Sequence, residues 1–326
     1  MTADVLCLRP EADFLRAGAW PPPALKVVYR APEDPEVPSL MRQARALVIP
    51  AVGRKLAPAL FENASIKFVQ VTGAGLDRLD LPFLKQLGIA VANVPGGSNQ
   101  AVAEYVVTAA SVLLRRFAWA DAEVRAGRYR EFRSRILLDQ LSGLDGLLAG
   151  IVGFGVIGMA VAEAFHQRRC NILYFDPAPR DMQAAAPFNA ESVSLDELLK
   201  AADVVTLHVP LLPSTQGLIG VRELRLMKRG AILIQASRGA IVDEAALAAA
   251  LNSGHLGGAA VDVYSTEPPA DSNPLLALTG DAARRVLFTP HIAGITRQAS
   301  AFLFHSAWHN IERVLVANEP PHNRAC

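Results

Sequence analysis

The sequence predicts an α/β protein built of two parallel-sheet domains, and three observations carry that prediction. Short apolar runs alternate with amphipathic stretches twice along the chain, over residues 1–100 and again from Leu148 onward. A glycine-rich loop falls at the first strand-to-helix turn of the second series. At 326 residues, the chain is long for one domain and comfortable for two.

In the first series, strands are expected at 4–8, 25–29, 46–50, 67–72 and 90–94, with helices at 39–45 and 82–87. Gly88 closes the second of these helices from a C-cap position. Strands that alternate with helices imply parallel pairing, because a parallel connection needs a crossover. The Pro-rich stretches 21–23 and 32–38 read as loops inside this unit. A long apolar helix follows at 100–116, with Val102, Val106, Val107, Ala110 and Leu114 on shared faces. Residues 118–141 place Arg125, Arg128, Arg130, Arg133 and Arg135 around Tyr129 and Phe132. They read either as a solvated arm or as a dimer contact.

The second series has strands at 148–152, 171–175, 204–208, 231–235, 259–263 and 286–289, and helices at 156–167, 195–200, 221–226 and 244–253. Six strands with crossover helices complete a dinucleotide-binding sheet. The last helix, 296–315, has no strand left to feed and is expected to return to the first unit. The division is then residues 1–100 with 295–326 in one domain, and 101–294 in the other.

Composition excludes several classes of function. Apolar residues make up 51% and charged residues 19%, so the chain is not disordered. Thirty-two basic residues against 31 acidic leave a net charge of +1, with no basic surplus to neutralise phosphates. No nucleic-acid partner is expected. Cys7, Cys170 and Cys326 are scattered and odd in number, which argues against a disulfide framework and fits a reducing compartment. The stretch 146–162 is uncharged and long enough to cross a membrane, but its glycines fit a buried strand and a tight turn. The reading is a cytoplasmic protein with no membrane partner.

Gly153-Phe154-Gly155-Val156-Ile157-Gly158 spells G-x-G-x-x-G between an expected strand and an expected helix. In that context the first glycine makes the turn, the second admits a pyrophosphate to the backbone and the third packs the helix close. The helix N-terminus then offers N–H groups to the phosphates. Asp176, eighteen residues past Gly158 and followed by Pro177, can accept a hydrogen bond from an adenosine ribose 2′-OH and would repel a 2′-phosphate. This favours NAD over NADP, although Arg180 nearby pulls the other way. A turn-forming Asp before proline is the plainer role and is compatible with both.

Three later segments follow expected strand ends, where open α/β sheets bind ligands. They carry Arg238, Glu267 and His291. A guanidinium can grip a carboxylate with its planar fork, and an imidazole can exchange a proton near neutrality. A carboxylate can orient that imidazole and favour its protonated form. Each residue alone has a bland structural explanation; the three together on one sheet edge suit reduction of a 2-keto acid.

The chain resembles the D-isomer-specific 2-hydroxyacid dehydrogenase family over nearly its whole length. The resemblance rests on Gly73-Ala74-Gly75-Leu76-Asp77, Ala101-Val102-Ala103-Glu104, the glycine loop and the 202–210 segment ending in His208-Val209-Pro210. Downstream it rests on the 236–244 segment, Asp262-Val263 with Glu267-Pro268, and Thr289-Pro290-His291. It implies two Rossmann-like or flavodoxin-like parallel-sheet domains with a cleft between them, the discontinuous one binding substrate and the other NAD. It also implies that Arg238, Glu267 and His291 are catalytic, with Arg238 and His291 touching both cofactor and substrate. Ala74 and Gly75 match a loop whose backbone N–H groups hold the substrate carboxylate. Asp262 matches the residue facing the nicotinamide carboxamide, and His208-Val209-Pro210 a cofactor-lining turn. Thr215, Ala236, Ser237 and Gly294 join the expected cofactor set. The family implies a homodimer through the cofactor domain.

The expected activity is NAD-dependent interconversion of an (R)-2-hydroxy acid and its 2-keto acid. Ile295 stands where the lactate branch has Tyr, residues 48–52 lack the Arg of the 3-phosphoglycerate branch, and Glu267 stands where formate-oxidising relatives have Gln. Glyoxylate, hydroxypyruvate and bulkier 2-keto acids remain as substrates. The second reading is an NAD(H)-sensing binding module resembling the family's transcriptional corepressors, against which stands the short stretch after the last helix. No metal is expected: His305 and His309 have ligand spacing on a helix but lack a third ligand.

Overall fold

The computed structural model describes residues 3–178 and 185–326. Backbone contacts divide the chain into two units, Met1–Ser98 with Ile295–Cys326, and Asn99–Gly294.

The first unit holds a parallel sheet of β1 (Val5–Cys7), β2 (Val27–Tyr29), β3 (Ala46–Ile49), β4 (Phe68–Val71) and β5 (Ala90–Ala92), in the order β2-β1-β3-β4-β5. Alternate residues face opposite sides of a strand. Leu6, Leu47, Ile49, Val69 and Val91 pack on one face with Met41 and Leu84. Val5, Cys7, Ala46, Val48 and Phe68 pack on the other with Phe14, Phe304, Trp308 and Ile311. The last three belong to the helix Arg297–Leu315, capped by Thr296, whose hydroxyl accepts the Ala299 N–H. Burial on both faces explains why these strands read as unbroken apolar runs. The buried Asn310 amide of the same helix donates to Gln70 Oε1 at 2.9 Å and to the His322 carbonyl at 3.1 Å.

The second unit holds β6 (Leu148–Val152), β7 (Asn171–Phe175), β8 (Ala190–Ser192), β9 (Val204–Leu207), β10 (Ile232–Gln235), β11 (Gly258–Val261) and β12 (Val286–Phe288). All pairings are parallel, in the order β12-β11-β10-β9-β6-β7-β8. The sheet thus has a seventh strand where six were expected. Strand β8 escapes the pattern because Ala-Glu-Ser lies at the sheet edge and has only one apolar residue. The chain runs outward from β6 to β8, then returns to β9 on the other side of β6. That reversal is the switch point at which such sheets bind ligands.

The long helix spans Asn99–Leu114 and stops two residues earlier than expected, since Arg116 adopts φ 52°. The following arm forms two helices, Phe117–Arg125 and Tyr129–Asp139. Their centre is the buried Trp119, 5.4 Å from the Phe132 ring, with the guanidinium groups of Arg116, Arg135 and Arg284 over its indole. The arm is therefore packed on its own aromatic centre rather than simply solvated. The uncharged stretch 146–162 becomes β6, the glycine turn and the start of the helix Val156–His166. Among the described residues, no helix is long and apolar enough to cross a membrane, and no group of three His, Cys, Asp or Glu could hold a metal.

Phe14 is fully buried, with ring centroids 4.7 Å from Phe304 and 4.9 Å from Trp308. Phe14→Ala should destabilise the first unit by about 3–5 kcal/mol and lower its urea midpoint. An unmoved midpoint would show that this aromatic cluster contributes nothing to holding the helix on the sheet.

Candidate active site

The strands β6, β7, β9, β10, β11 and β12 each deliver one segment to their carboxyl ends. After β6, Gly153 turns the chain with φ +94°, and a Cβ there would lie 2.7 Å from the His208 carbonyl. A Cβ on Gly158 would lie 2.1 Å from the Gly153 oxygen, so the helix packs directly on the loop. Gly155 is different: its added Cβ would meet nothing within 4 Å. The open side of Gly155, at the N-terminus of the helix Val156–His166, is the cradle a pyrophosphate requires. Val156 is half-exposed and Ile157 partly buried in the first helical turn. The Phe154 ring is instead a core residue, stacked on Tyr174 at 4.0 Å, and only its main chain belongs to the loop.

Asp176 ends β7. Its Oδ2 accepts the Phe154 N–H at 2.7 Å and its Oδ1 the Ala178 N–H at 2.9 Å. The carboxylate thus forms the turn and ties it to the glycine loop. Pro177 is exposed beside it. Arg180 lies outside the described residues.

After β9, His208 Nε2 lies 2.9 Å from Thr206 Oγ1, and burial pushes the imidazole down to about 3, so the ring stays neutral. Val209 is buried and Pro210 exposed. The Thr215 hydroxyl donates to the Pro210 carbonyl at 2.6 Å and accepts the Leu212 N–H at 2.8 Å. It closes this turn from a buried position.

After β10, the buried Gln235 amide organises the arginine segment. Its Oε1 accepts from Ser237 Oγ at 2.8 Å, and its Nε2 donates to the Arg238 carbonyl at 2.7 Å. Ala236 lies between, partly buried. The Arg238 side chain is partly exposed and donates from Nη1 to the Ser237 carbonyl at 2.8 Å. A Cβ on Gly239 would fall 1.8 Å from the Tyr264 carbonyl oxygen, so this loop presses on the next one.

Asp262, just past β11, is fully buried. Its Oδ1 accepts from Thr289 Oγ1 at 2.6 Å and from the Ile292 N–H at 2.8 Å; Oδ2 accepts the Ala293 N–H at 2.9 Å. Its own carbonyl accepts the His291 N–H at 2.8 Å. His291, after β12, stands at φ +55°, and Gly294 ends the turn. His291 Nδ1 lies 2.8 Å from Glu267 Oε2 and 3.1 Å from Oε1. A carboxylate only accepts, so Nδ1 carries the proton and Nε2 is left for chemistry. Burial pushes the Glu267 carboxyl up. The hydrogen bond and charge of His291, the Tyr264 N–H and the Arg238 charge outweigh it, holding Glu267 below the usual carboxylate range.

Arg238, Glu267 and His291 therefore follow three adjacent strands. Sequence reasoning missed their supports. Gln235 was visible only as a polar end to an apolar strand. Glu244, which accepts from the Ser265 N–H at 2.8 Å and from Asn273 Nδ2 at 3.0 Å, was hidden as the first residue of a helix.

Residues 107–293, more than half of the chain, match the NAD binding domain of D-isomer specific 2-hydroxyacid dehydrogenases. The chain belongs to this family. A glyoxylate reductase of Thermofilum pendens is 36% identical over 258 residues, 79% of this chain and 74% of the relative. A glycerate dehydrogenase of Methylorubrum extorquens is 35% identical over 81% of this chain and 80% of its own length. A D-3-phosphoglycerate dehydrogenase of Archaeoglobus fulgidus is 36% identical over 78% of this chain, which spans only 46% of that relative. Among solved structures, a Thermus thermophilus protein superposes with a TM-score of 0.84 at 33% identity, covering 99% of both chains. A Treponema pallidum D-lactate dehydrogenase gives 0.81 at 28% identity, again covering 99% of both.

As a member of this family, the chain takes NAD as its cofactor, and the glycine cradle and Asp176 turn suit it. In the first unit, the segment carrying Ala74 and Gly75 follows β4. Asn93 Nδ2 donates to the Ala74 carbonyl at 2.7 Å, and the Val94 N–H donates to the Gly73 carbonyl at 2.9 Å, so the end of β5 holds the loop carrying Ala74 and Gly75.

The two glycines separate cofactor contact from folding. Gly155→Ala should keep the melting temperature and raise the NADH Kd by about tenfold or more, equivalent to at least about 1.4 kcal/mol. Gly158→Ala should impair both. Thermal melts and NADH fluorescence titration measure this; unchanged affinity in Gly155→Ala would remove Gly155 from the cofactor's path.

Proposed function

We propose that the protein interconverts an (R)-2-hydroxy acid and its 2-keto acid with NAD(H), and that glyoxylate and hydroxypyruvate are the 2-keto acids to test first. The observation that carries this reading is the His291–Glu267 pair, with Arg238 at the end of the neighbouring strand β10. The glyoxylate reductase and glycerate dehydrogenase relatives support small substrates.

Bound NADH supplies the hydride that becomes the C2–H bond. The chain's own residues supply the rest. Arg238 grips the substrate carboxylate, and the Ala74 and Gly75 N–H groups are proposed as further donors to it. His291 Nε2 gives its proton to the C2 oxygen during reduction and takes one back during oxidation. Glu267, held ionised, keeps the Nδ1 proton in place and offsets the imidazolium charge. Asp262, which by resemblance matches the residue facing the nicotinamide carboxamide, is fully buried and supports the site by holding the 291–293 turn. The reading as an NAD(H)-sensing module is not favoured, because the relatives named above are reductases and dehydrogenases.

We also propose a homodimer through residues 117–139, supported by exposed Phe117, Val124, Tyr129, Leu137 and Leu138, the last 83% exposed. A cytoplasmic setting is supported by the free thiols of Cys7, Cys170 and Cys326.

The test is NADH oxidation over a panel of 2-keto acids. Turnover of at least one is expected; none with any would return the sensing module to first place. Arg238→Lys should lower kcat/KM for the keto acid by about tenfold or more, because a point charge cannot reproduce the bidentate fork. NADH affinity should stay near that of the unmutated protein. Near-full efficiency with lysine would mean that Arg238 is not the clamp.

Glu267→Gln keeps the shape and removes the charge beside Nδ1. It should lower kcat for keto-acid reduction by about tenfold or more, because the ring loses the carboxylate that fixes its tautomer and offsets its charge. Near-full kcat in Glu267→Gln would reject the dyad.

A further inference from the structure

Tyr105 sits on the helix Asn99–Leu114, more than a hundred residues from the segments that carry Arg238, Glu267 and His291. Its hydroxyl lies 2.7 Å from Thr289 Oγ1, which lies 2.6 Å from Asp262 Oδ1. The direction of this chain follows from proton counting. Thr289 has one hydroxyl proton, and the carboxylate can only accept it. The Thr289 oxygen is then the acceptor for Tyr105, whose phenol burial pushes up to about 12 and so keeps protonated.

The far end of the chain is the turn that presents His291. The N–H groups of His291, Ile292 and Ala293 all point at Asp262, the first to its carbonyl and the others to its two carboxylate oxygens. Successive backbone N–H groups converging on an anion form a nest. Here the anion is a side chain of the same unit, and it holds His291 at φ +55°, a region that non-glycine residues rarely occupy. Tyr264 anchors the same segment from its main chain, its hydroxyl lying 3.2 Å from the carbonyls of Val261 and Thr289.

We propose that Tyr105 is a positioning residue for the reaction: through Thr289 it fixes the Asp262 carboxylate, and through Asp262 it fixes the turn that aims His291 at Glu267 and at the substrate. It touches neither substrate nor cofactor in this account, which rests on the reading of His291 as the proton-exchanging residue.

Tyr105→Phe removes one oxygen and keeps the ring on the helix. It should lower kcat for keto-acid reduction by about tenfold, as misplacement of a reacting group does, while KM and the NADH Kd stay near those of the unmutated protein. Thr289→Val should act alike, and Thr289→Ser should recover most of the rate that Thr289→Val loses. The double variant Tyr105→Phe/Thr289→Val should lose no more than the weaker single variant, because both cut one path. In ¹⁵N spectra of labelled histidines, with His291 assigned through His291→Gln, the unmutated protein should show one tautomer protonated at Nδ1. Tyr105→Phe should show a mixture.

An unchanged kcat and an unchanged tautomer in Tyr105→Phe, or additive losses in the double variant, would overturn the proposal. If Tyr105→Phe fails to fold, the Thr289→Val and Thr289→Ser pair decides it by the same two readouts. If the unmutated protein reduces no 2-keto acid, the proposed function fails, and the tautomer comparison still decides whether Tyr105 positions His291.

Discussion

The Asp262 carboxylate is buried at the junction of three elements and accepts from a hydroxyl and two backbone N–H groups, while its carbonyl accepts a third N–H. The rest of the site depends on that convergence. Without it, the buried Ala293 N–H would be left without its partner, at about 1–3 kcal/mol. With it, His291 has one backbone conformation, and Glu267 needs only to meet a ring already aimed. The parallel sheet makes this possible: β11 and β12 are neighbours running the same way, so the segments after them emerge side by side.

The same logic governs the cofactor side. Three glycines occupy two different steric situations, Gly153 and Gly158 pressed against backbone and Gly155 facing open space. Asp176 joins the glycine turn to the end of β7, so the loop that would receive phosphates and the carboxylate that would receive the ribose are one hydrogen-bonded piece. Gly239 lets the arginine segment lie against the Tyr264 carbonyl, which places Arg238 next to the segment that carries Glu267. The functional segments are thus tied together after the strand ends by side-chain hydrogen bonds from Asp176, Gln235, Asp262 and Glu267 and by the close approach that Gly239 allows.

Much of this was legible in the residues because buried parallel strands announce themselves as apolar runs, and because G-x-G-x-x-G followed by an acid has a steric reason at each position. The arginine, glutamate and histidine were legible once their strands were placed in order. What escaped were groups whose role lies in distant hydrogen bonds. Tyr105 belongs by pattern to an apolar helix, Gln235 to an apolar strand and Glu244 to a helix start; only the folded chain brings each to its partner. Phe154 and Thr215 sit within the expected cofactor set, yet the Phe154 ring belongs to the core and the Thr215 hydroxyl closes its own turn. Strand β8 and the two-helix arm were missed for a simpler reason: an edge strand of Ala-Glu-Ser and a charged segment around one Trp have no long apolar period.

His291, held by Asp262 and oriented by Glu267, is proposed to exchange the proton that hydride transfer requires. The most direct test is His291→Gln, which cannot exchange a proton at neutral pH, assayed under single turnover with NADH and a 2-keto acid that the unmutated protein reduces. A loss of about 10²–10⁴-fold in the hydride step is expected, with NADH binding unchanged by fluorescence titration. A variant that keeps more than a tenth of the unmutated rate, or one that loses rate only because NADH no longer binds, would contradict it.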